Sequence, residues 1–170
     1  MPHKIIFMGT PQFSVPSLEA LAKSSYKISH VYTQPPKESN RGHKLTSSPI
    51  QKIAEKLNLV IRCPNSLKTE DEFNFFKELN PDIVVVVAYG KLIPKRILDL
   101  PKKGFINIHA SLLPKWRGAA PIQRAIMNLD KEIGISIMKI IEELDSGPII
   151  KKIKIDIDPF DSSGKILERL

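Results

Sequence analysis

The chain has 170 residues, 42% of them hydrophobic and 26% charged, which is typical of a globular protein that forms one domain with a buried core. No apolar run could cross a bilayer and no signal peptide precedes the first strand-like segment, which excludes a membrane protein and predicts a cytoplasmic one. The net charge of +8 favours an anionic partner, with nucleic acid the leading candidate.

Apolar runs typical of strands alternate with helical patterns along most of the chain. In chain order, the predicted elements are a strand over 5–8, a helix over 15–21, a strand over 27–33, an exposed loop over 34–48, a helix over 49–57, a strand over 59–61, a helix over 69–79, a strand over 83–88, a helical turn over 93–98, a strand over 104–109, a helix over 119–127, strands over 134–141 and 149–157, and a last helix within 161–170. This order predicts an α/β, Rossmann-like fold, a mostly parallel sheet with helices on both faces and an antiparallel strand at one end.

The turn that follows the first predicted strand contains a single glycine, Gly9. Dinucleotide-binding folds carry three spaced glycines at this point, so we do not expect a nicotinamide cofactor. A single glycine suits a tight turn at the carboxyl end of the strand, where α/β folds place their ligands.

Asn107 and His109 lie two residues apart near the end of a predicted strand, so their side chains share one face. An amide and an imidazole at this position could stabilise an oxyanion and move protons. Taken alone, the pair favours the other interpretation, a structural asparagine and a hydrogen-bonded core histidine. The surrounding residues 91–124 hold eight Lys or Arg against one acid, which indicates either an anionic partner or a solvated surface.

A longer motif surrounds this pair. Asn107-x-His109 followed by Ser111, Leu112, Leu113 and Pro114, with Leu144-Asp145-Ser146-Gly147 downstream, resembles the signature of the folate-dependent formyltransferases. The resemblance implies a triad of Asn107, His109 and Asp145, in which Asp145 orients the imidazole. It also implies that formyl transfer proceeds through a tetrahedral intermediate whose negative charge Asn107 and His109 stabilise.

Flanking segments are similar to the methionyl-tRNA branch of that family, notably Met8-Gly9-Thr10-Pro11 and Lys115-Trp116-Arg117-Gly118. That branch implies 10-formyltetrahydrofolate as donor and the amino group of methionyl initiator tRNA as acceptor. It places the folate against residues 111–114 and Tyr89, and the tRNA acceptor end against Arg41 and Lys44. It requires neither a metal nor a covalent nucleophile, and we expect a monomer.

Three departures from the family pattern accompany the resemblance. Residues 36–40 differ from the usual loop sequence, which puts acceptor recognition in question. Glu143 stands where the family commonly has glycine, so we expect backbone strain and added negative charge to weaken folate binding. Residues 1–170 are interpreted as the catalytic domain, cut in its last helix and without the carboxyl-terminal tRNA-binding β-barrel domain. The alternatives are a formyltransferase acting on a small amine such as an amino sugar, or an inactive remnant that binds folate or RNA.

Overall fold

The computed structural model of the protein describes residues 3–39 and 44–170. The chain divides into two compact units, of which the first ends at Phe105 and the second runs from Ile106 to Leu170. In the described part of the chain, no helix is long and apolar enough to cross a membrane.

Strands and helices are numbered in chain order. The strands are β1 (Lys4–Gly9), β2 (Lys27–Tyr32), β3 (Lys37–Ser39), β4 (Lys44–Thr46), β5 (Ile61–Arg62), β6 (Ile83–Val87), β7 (Phe105–His109), β8 (Glu132–Lys139) and β9 (Ile149–Asp156). The helices are α1 (Val15–Ala22), α2 (Pro49–Lys56), α3 (Glu70–Leu79), α4 (Lys95–Leu98), α5 (Pro121–Met127) and α6 (Ser163–Arg169).

The first unit contains a parallel sheet in the order β5-β2-β1-β6. Residues 5–9 of β1 form a continuous apolar run and are buried inside the sheet. Such a run is typical of a strand that is covered on both faces. The helices α1, α2 and α3 separate these parallel strands in the sequence. The predicted α/β alternation is therefore confirmed.

Two of the connecting helices begin where their capping residues place them. The Ser48 hydroxyl accepts a hydrogen bond from the Gln51 amide, and Pro49 occupies the first turn of α2. The Thr69 hydroxyl accepts one from the Glu72 amide at the start of α3. In both helices a side-chain oxygen thus accepts from a backbone N–H that the first turn leaves without a helical partner.

The segment predicted as an exposed loop over 34–48 contains a short antiparallel pair, β3 with β4. The prediction was wrong for these residues because the strands are polar and only three residues long, so they have no alternating apolar pattern to reveal them. The pairing is supplied by backbone hydrogen bonds, which do not depend on residue type.

The second unit contains β7, β8 and β9 in that order, with both neighbouring pairs antiparallel. Its core is a cluster of Ile122 and Ala125 from α5, Ile133 from β8 and Ile166 from α6. The antiparallel pairing predicted for the last two strands is confirmed, and β8 in addition runs antiparallel to β7.

The last strand, β9, is exposed along almost its whole length, including Ile149, Ile150 and Ile153. It pairs with β8 on one side, and no strand in the described residues pairs with its other side. Lys151 and Lys152 lie between Ile150 and Ile153, and Lys154 follows Ile153.

Part of the basic segment over 91–124 makes internal contacts. Lys91 Nζ donates to the carbonyl of Asn65 at 2.9 Å, and Arg96 pairs with Glu70 at 2.6 Å while also donating to the carbonyls of Lys68 and Thr69. These two cations stabilise connections within the first unit. Because Glu70 neutralises Arg96, the count of Lys and Arg overstates the net positive charge that this segment offers to an anionic partner.

Candidate active site

Asn107 and His109 lie on one face of β7, as their spacing predicts. Opposite them on β8 are Met138, which is the register partner of Asn107, and Ser136, which is the register partner of His109. Asn107 is partly exposed, whereas His109 is only 8% exposed. The strand thus presents one accessible amide beside one enclosed imidazole.

Asp145 reaches both of these side chains from the segment that follows β8. Its Oδ1 accepts a hydrogen bond from Asn107 Nδ2 at 3.4 Å, and its Oδ2 lies 3.7 Å from His109 Nδ1. The three residues that the sequence singled out therefore lie together within the second unit. The 3.4 Å contact is long for an N–H···O bond, which leaves the amide free to take a nearer acceptor.

The backbone from Asp145 to Gly147 forms a tight turn next to the end of β8. Asp145 has a φ of +45°, in the left-handed region, and its Oδ2 accepts a hydrogen bond from the Gly118 amide at 2.8 Å. Two residues later, a Cβ on Gly147 would lie 1.9 Å from the carbonyl oxygen of Lys139, a distance that no side chain could occupy. This glycine allows the chain to pass close to the end of β8 and return.

Glu143 does not carry the backbone strain expected from the sequence. Positive φ occurs at Asp145, and Glu143 is not among the residues with this conformation. Its side chain is exposed. The expectation of strain is corrected, and only the added negative charge remains as a possible effect of this residue.

The second ring nitrogen of His109 also has a partner. Nε2 lies 3.0 Å from the backbone carbonyl oxygen of Trp116. A carbonyl can only accept, so in this arrangement Nε2 carries a proton. The imidazole is therefore held between a carbonyl at one nitrogen and the Asp145 carboxylate at the other.

Trp116 is itself held by a second carboxylate, Asp130. Trp116 has a φ of +59°, and its indole Nε1 donates to Asp130 Oδ2 at 2.7 Å. Asp130 also accepts from Asn128 Nδ2 at 2.8 Å, and Lys115 Nζ lies 3.3 Å from its Oδ1. The hydrogen bonds from Asn128 and Trp116 hold the pKa of the Asp130 carboxyl below its usual range.

The segment 111–114, for which folate contact was predicted, is tied to β8 by Ser136. The Ser136 hydroxyl donates to the carbonyl of Ser111 at 2.7 Å and accepts from the amide of Leu113 at 3.0 Å. The Ser111 hydroxyl donates to the carbonyl of Lys115 at 2.7 Å and is buried. The side chain of Ser111 is thus part of the loop itself, whereas Leu112 is partly exposed and Pro114 exposed.

Tyr89, the other predicted folate contact, belongs to the first unit. Its ring is buried, its hydroxyl has no hydrogen-bond partner among the described residues, and burial raises the pKa of the phenol. Its carbonyl accepts hydrogen bonds from Thr10 Oγ1 at 2.9 Å and Gln34 Nε2 at 3.0 Å. Tyr89 therefore fixes the end of β6 through its backbone.

The predicted tRNA contacts lie at the edge of what the structure describes. Arg41 lies outside the described residues. Lys44 is the first residue of β4, and its side chain lies outside the described part of the chain. Both residues remain predictions from the sequence.

Sequence reasoning missed three of the groups that shape this site. The Trp116 carbonyl and the Gly118 amide are backbone groups, so no residue type announces them. Ser136 did have a signal, because it is a lone hydroxyl within the otherwise apolar residues 133–138 of β8 and such a buried group needs partners. Residues 3–39 and 44–170 contain no group of three His, Cys, Asp or Glu side chains that could hold a metal ion.

The arrangement combines an amide donor that contacts a carboxylate at 3.4 Å with an imidazole whose Nδ1 lies 3.7 Å from the same carboxylate and whose protonated Nε2 faces a backbone carbonyl. Such a set can stabilise a developing negative charge on oxygen and can accept and return a proton. This chemistry fits the transfer of an acyl group to an amine.

Comparison with known proteins finds similarity along almost the whole sequence. The formyl transferase family model matches residues 3–170. The methionyl-tRNA formyltransferases of Pelagibacter ubique (strain HTCC1062) and Mesorhizobium japonicum (strain LMG 29417 / CECT 9101 / MAFF 303099) are 58% and 56% identical to it over 171 residues. These alignments cover 100% of this chain but 55% and 54% of the two relatives, so the chain spans about half the length of the curated relatives it matches.

Solved structures share the same fold at low sequence identity. A phosphoribosylglycinamide formyltransferase from Anaplasma phagocytophilum is 24% identical with a TM-score of 0.80, covering 99% of this chain and 79% of that chain. A formyltetrahydrofolate deformylase from Pseudomonas syringae pv. tomato str. DC3000 is 22% identical with a TM-score of 0.78, covering 99% and 56%. These likenesses confirm the predicted Rossmann-like α/β fold.

Proposed function

Because the chain belongs to the formyl transferase family, we propose that it transfers a formyl group from 10-formyltetrahydrofolate to the α-amino group of methionyl initiator tRNA. The observation that carries this proposal is the convergence of Asn107, His109 and Asp145 at one end of β7. We also propose that the protein acts in the cytoplasm. All three residues come from one molecule, so a monomer is sufficient to form the triad.

Asn107 and His109 act as donors to the formyl oxygen as the amine attacks and negative charge develops there. The Asn107 amide is partly exposed and has only a long contact with Asp145, so it can turn to a better acceptor. The Trp116 carbonyl keeps a proton on His109 Nε2, and donation to the formyl oxygen requires this N–H to exchange the carbonyl for the new acceptor. Each such donor typically lowers the barrier by about 3 kcal/mol.

Asp145 and His109 also handle the protons. The attacking amine must lose one proton and the departing folate nitrogen must gain one, so a group that accepts and then donates is sufficient. Asp145 Oδ2 lies 3.7 Å from His109 Nδ1, a separation that a small movement of either side chain closes. The Gly118 amide limits the freedom of this carboxylate.

We assign the folate to residues 111–114, where Leu112 and Pro114 offer apolar surface. Tyr89 stays a folate contact that the family resemblance alone predicts. The tRNA acceptor end is assigned to Arg41 and Lys44, since these cations can bind its phosphates. The donor set contributed by β7 fits a formyl carbonyl, which offers one acceptor oxygen.

The direct test is single-turnover formylation of methionyl initiator tRNA by the purified chain supplied with 10-formyltetrahydrofolate. The wild type is compared with Asp145→Ala and with Asp161→Ala, a matched control that removes the carboxylate paired with Arg169 in the same unit. Formyl-methionine from the wild type and the control, but not from Asp145→Ala, supports the proposal. A folded wild type that yields no product at high protein concentration contradicts it.

A salt series identifies the acceptor. Phosphate contacts weaken steeply with ionic strength, whereas a small amine depends on few of them. Formylation of methionyl-tRNA that falls steeply as salt rises supports a nucleic-acid acceptor. Faster transfer to an amino sugar, with little dependence on salt, would instead assign the chain to small amines.

A further inference from the structure

The orientation of His109 depends on the backbone of Trp116. The imidazole Nε2 reaches the Trp116 carbonyl at 3.0 Å, and this carbonyl points toward the ring while Trp116 has a φ of +59°. A tryptophan rarely adopts this left-handed conformation, so surrounding contacts must maintain it. If Trp116 moved to an ordinary conformation, its carbonyl would turn and His109 would lose this partner.

Asp130 provides the polar contact that maintains Trp116. The indole N–H donates to Asp130 Oδ2 at 2.7 Å, the short distance typical of a bond to a charged acceptor. Asp130 is fixed in turn, because its own amide donates to the carbonyl of Ala125 at 3.0 Å and its carboxylate receives Asn128 Nδ2. The indole also packs against the cluster of Ile122, Ala125, Ile133 and Ile166.

We propose that Asp130 is a positioning residue that sets the orientation and tautomer of His109 through Trp116. The Asp130 carboxylate holds the indole, the indole holds the Trp116 backbone, and the Trp116 carbonyl keeps the proton on His109 Nε2. The importance of this chain of contacts for catalysis rests on the proposed formyl transfer. The structural relationship itself can be tested without any substrate.

The first test observes the imidazole directly. NMR spectra of protein labelled with ¹⁵N-histidine report which ring nitrogen carries a proton and how quickly that proton exchanges with water, and His109→Gln assigns the signal among the four histidines. We compare the wild type with Asp130→Ala and with Trp116→Phe, which keeps an aromatic ring but lacks the indole N–H. Lys115→Ala is the matched control, because it removes the exposed cation beside Asp130 and leaves the indole bond in place.

We expect the His109 Nε2 proton to be protected in the wild type and in Lys115→Ala, and to exchange at least tenfold faster in Asp130→Ala and Trp116→Phe. Asp130→Asn retains an acceptor oxygen and should restore most of the protection. Thermal unfolding establishes that each variant is folded. Unchanged His109 signals in folded Asp130→Ala and Trp116→Phe would overturn the proposal.

The second test measures turnover. Misplacing a catalytic group by about 1 Å can lower a rate by about 100-fold, so we expect Asp130→Ala to reduce kcat by about 10- to 100-fold with little change in the KM for folate. Trp116→Phe should reduce kcat similarly, and the double variant should lose no more than either single variant, because both changes break the same chain of contacts. Additive losses would show that Asp130 acts by another route. A wild type that shows the protected Nε2 proton but no formylation would contradict the proposed function while leaving the positioning role intact.

Discussion

The carboxylate of Asp145 accepts a hydrogen bond from the backbone amide of Gly118 at 2.8 Å. This bond joins the segment after β8 to the segment after β7, and the same Oδ2 atom faces His109 Nδ1 at 3.7 Å. Asp145 therefore connects the two segments that form the site, in addition to facing the imidazole. Its substitutions separate these two tasks.

Asp145→Asn should retain the Gly118 bond, since its amide oxygen can still accept, but it removes the negative charge beside His109. We expect single-turnover formylation to fall about 100- to 1000-fold, with unfolding midpoints close to those of the wild type. Asp145→Ala should lower the formylation rate by a similar factor and should also lower the free energy of unfolding. A formylation rate in Asp145→Asn within threefold of the wild type would show that the charge has no part in catalysis.

Ser136 holds the segment 111–114, so its hydroxyl should affect folate binding more than chemistry. Ser136→Ala leaves the Leu113 amide and the Ser111 carbonyl without their buried partner, which typically costs about 1–3 kcal/mol of stability. We expect the KM for folate to rise about tenfold, as about 1.4 kcal/mol of binding energy requires, while kcat changes little. Ser136→Thr keeps a hydroxyl and should recover most of the affinity. If kcat fell while KM stayed constant, the assignment of folate to this segment would be wrong.

Gly147 should tolerate no side chain. An added Cβ would lie 1.9 Å from the Lys139 carbonyl oxygen, and a backbone atom cannot move aside cheaply, so we expect Gly147→Ala to lower the free energy of unfolding by at least about 1–3 kcal/mol. Gly164→Ala is the control, because the nearest atom to its added Cβ is Ser162 Oγ at 3.8 Å. Alanine favours helix, so this change in α6 should be neutral or stabilising by up to about 1 kcal/mol. Urea unfolding of the two variants measures both effects, and equal midpoints would contradict the predicted clash.

Asp130 should make stability depend on acidic pH. Hydrogen bonds from Asn128 and Trp116 lower the pKa of its carboxyl in the folded protein, so its contribution is fully present above the unfolded pKa of about 3.9. The contribution is lost as the pH falls through the lower folded pKa. The difference in unfolding midpoint between wild type and Asp130→Asn should therefore be constant from pH 7 to about 5 and should close below about pH 4. A difference that stays the same down to pH 3 would show that the charge of Asp130 does not stabilise the fold.

Much of the fold followed from local chemistry. The apolar run of β6 and the helical patterns over 49–57 and 69–79 predicted β6, α2 and α3 closely, because burial on one or both faces restricts residue type at those positions. The pair β3 and β4 escaped prediction because backbone pairing alone forms it. Elements that are stabilised by side chains can be predicted from a sequence, whereas elements that are stabilised by main-chain hydrogen bonds alone cannot.

The site shows the same division. The positions of Asn107 and His109 followed from strand alternation, whereas Asp145 drew attention only through a family resemblance, since nothing local distinguishes it from a turn residue. The partners of the triad could not be predicted at all, because the Trp116 carbonyl becomes relevant only through a left-handed backbone conformation that tryptophan seldom adopts. The hydrogen-bond partners of the triad thus depend on tertiary contacts, which a local sequence pattern does not show.

The exposed edge of β9 has a consequence for the behaviour of the protein at high concentration. Strand β9 pairs with β8 on one side, and its other edge has no partner strand among the described residues, so a second molecule can add its own strand there, beside Ile149, Ile150 and Ile153, and begin to aggregate. Lys151 and Lys152, between Ile150 and Ile153, oppose this, since two such strands brought together would place like charges side by side. Salt screens that repulsion, with a range of only about 3 Å at 1 M ionic strength. Light scattering recorded alongside any salt series will therefore separate loss of substrate contacts from self-association of the protein.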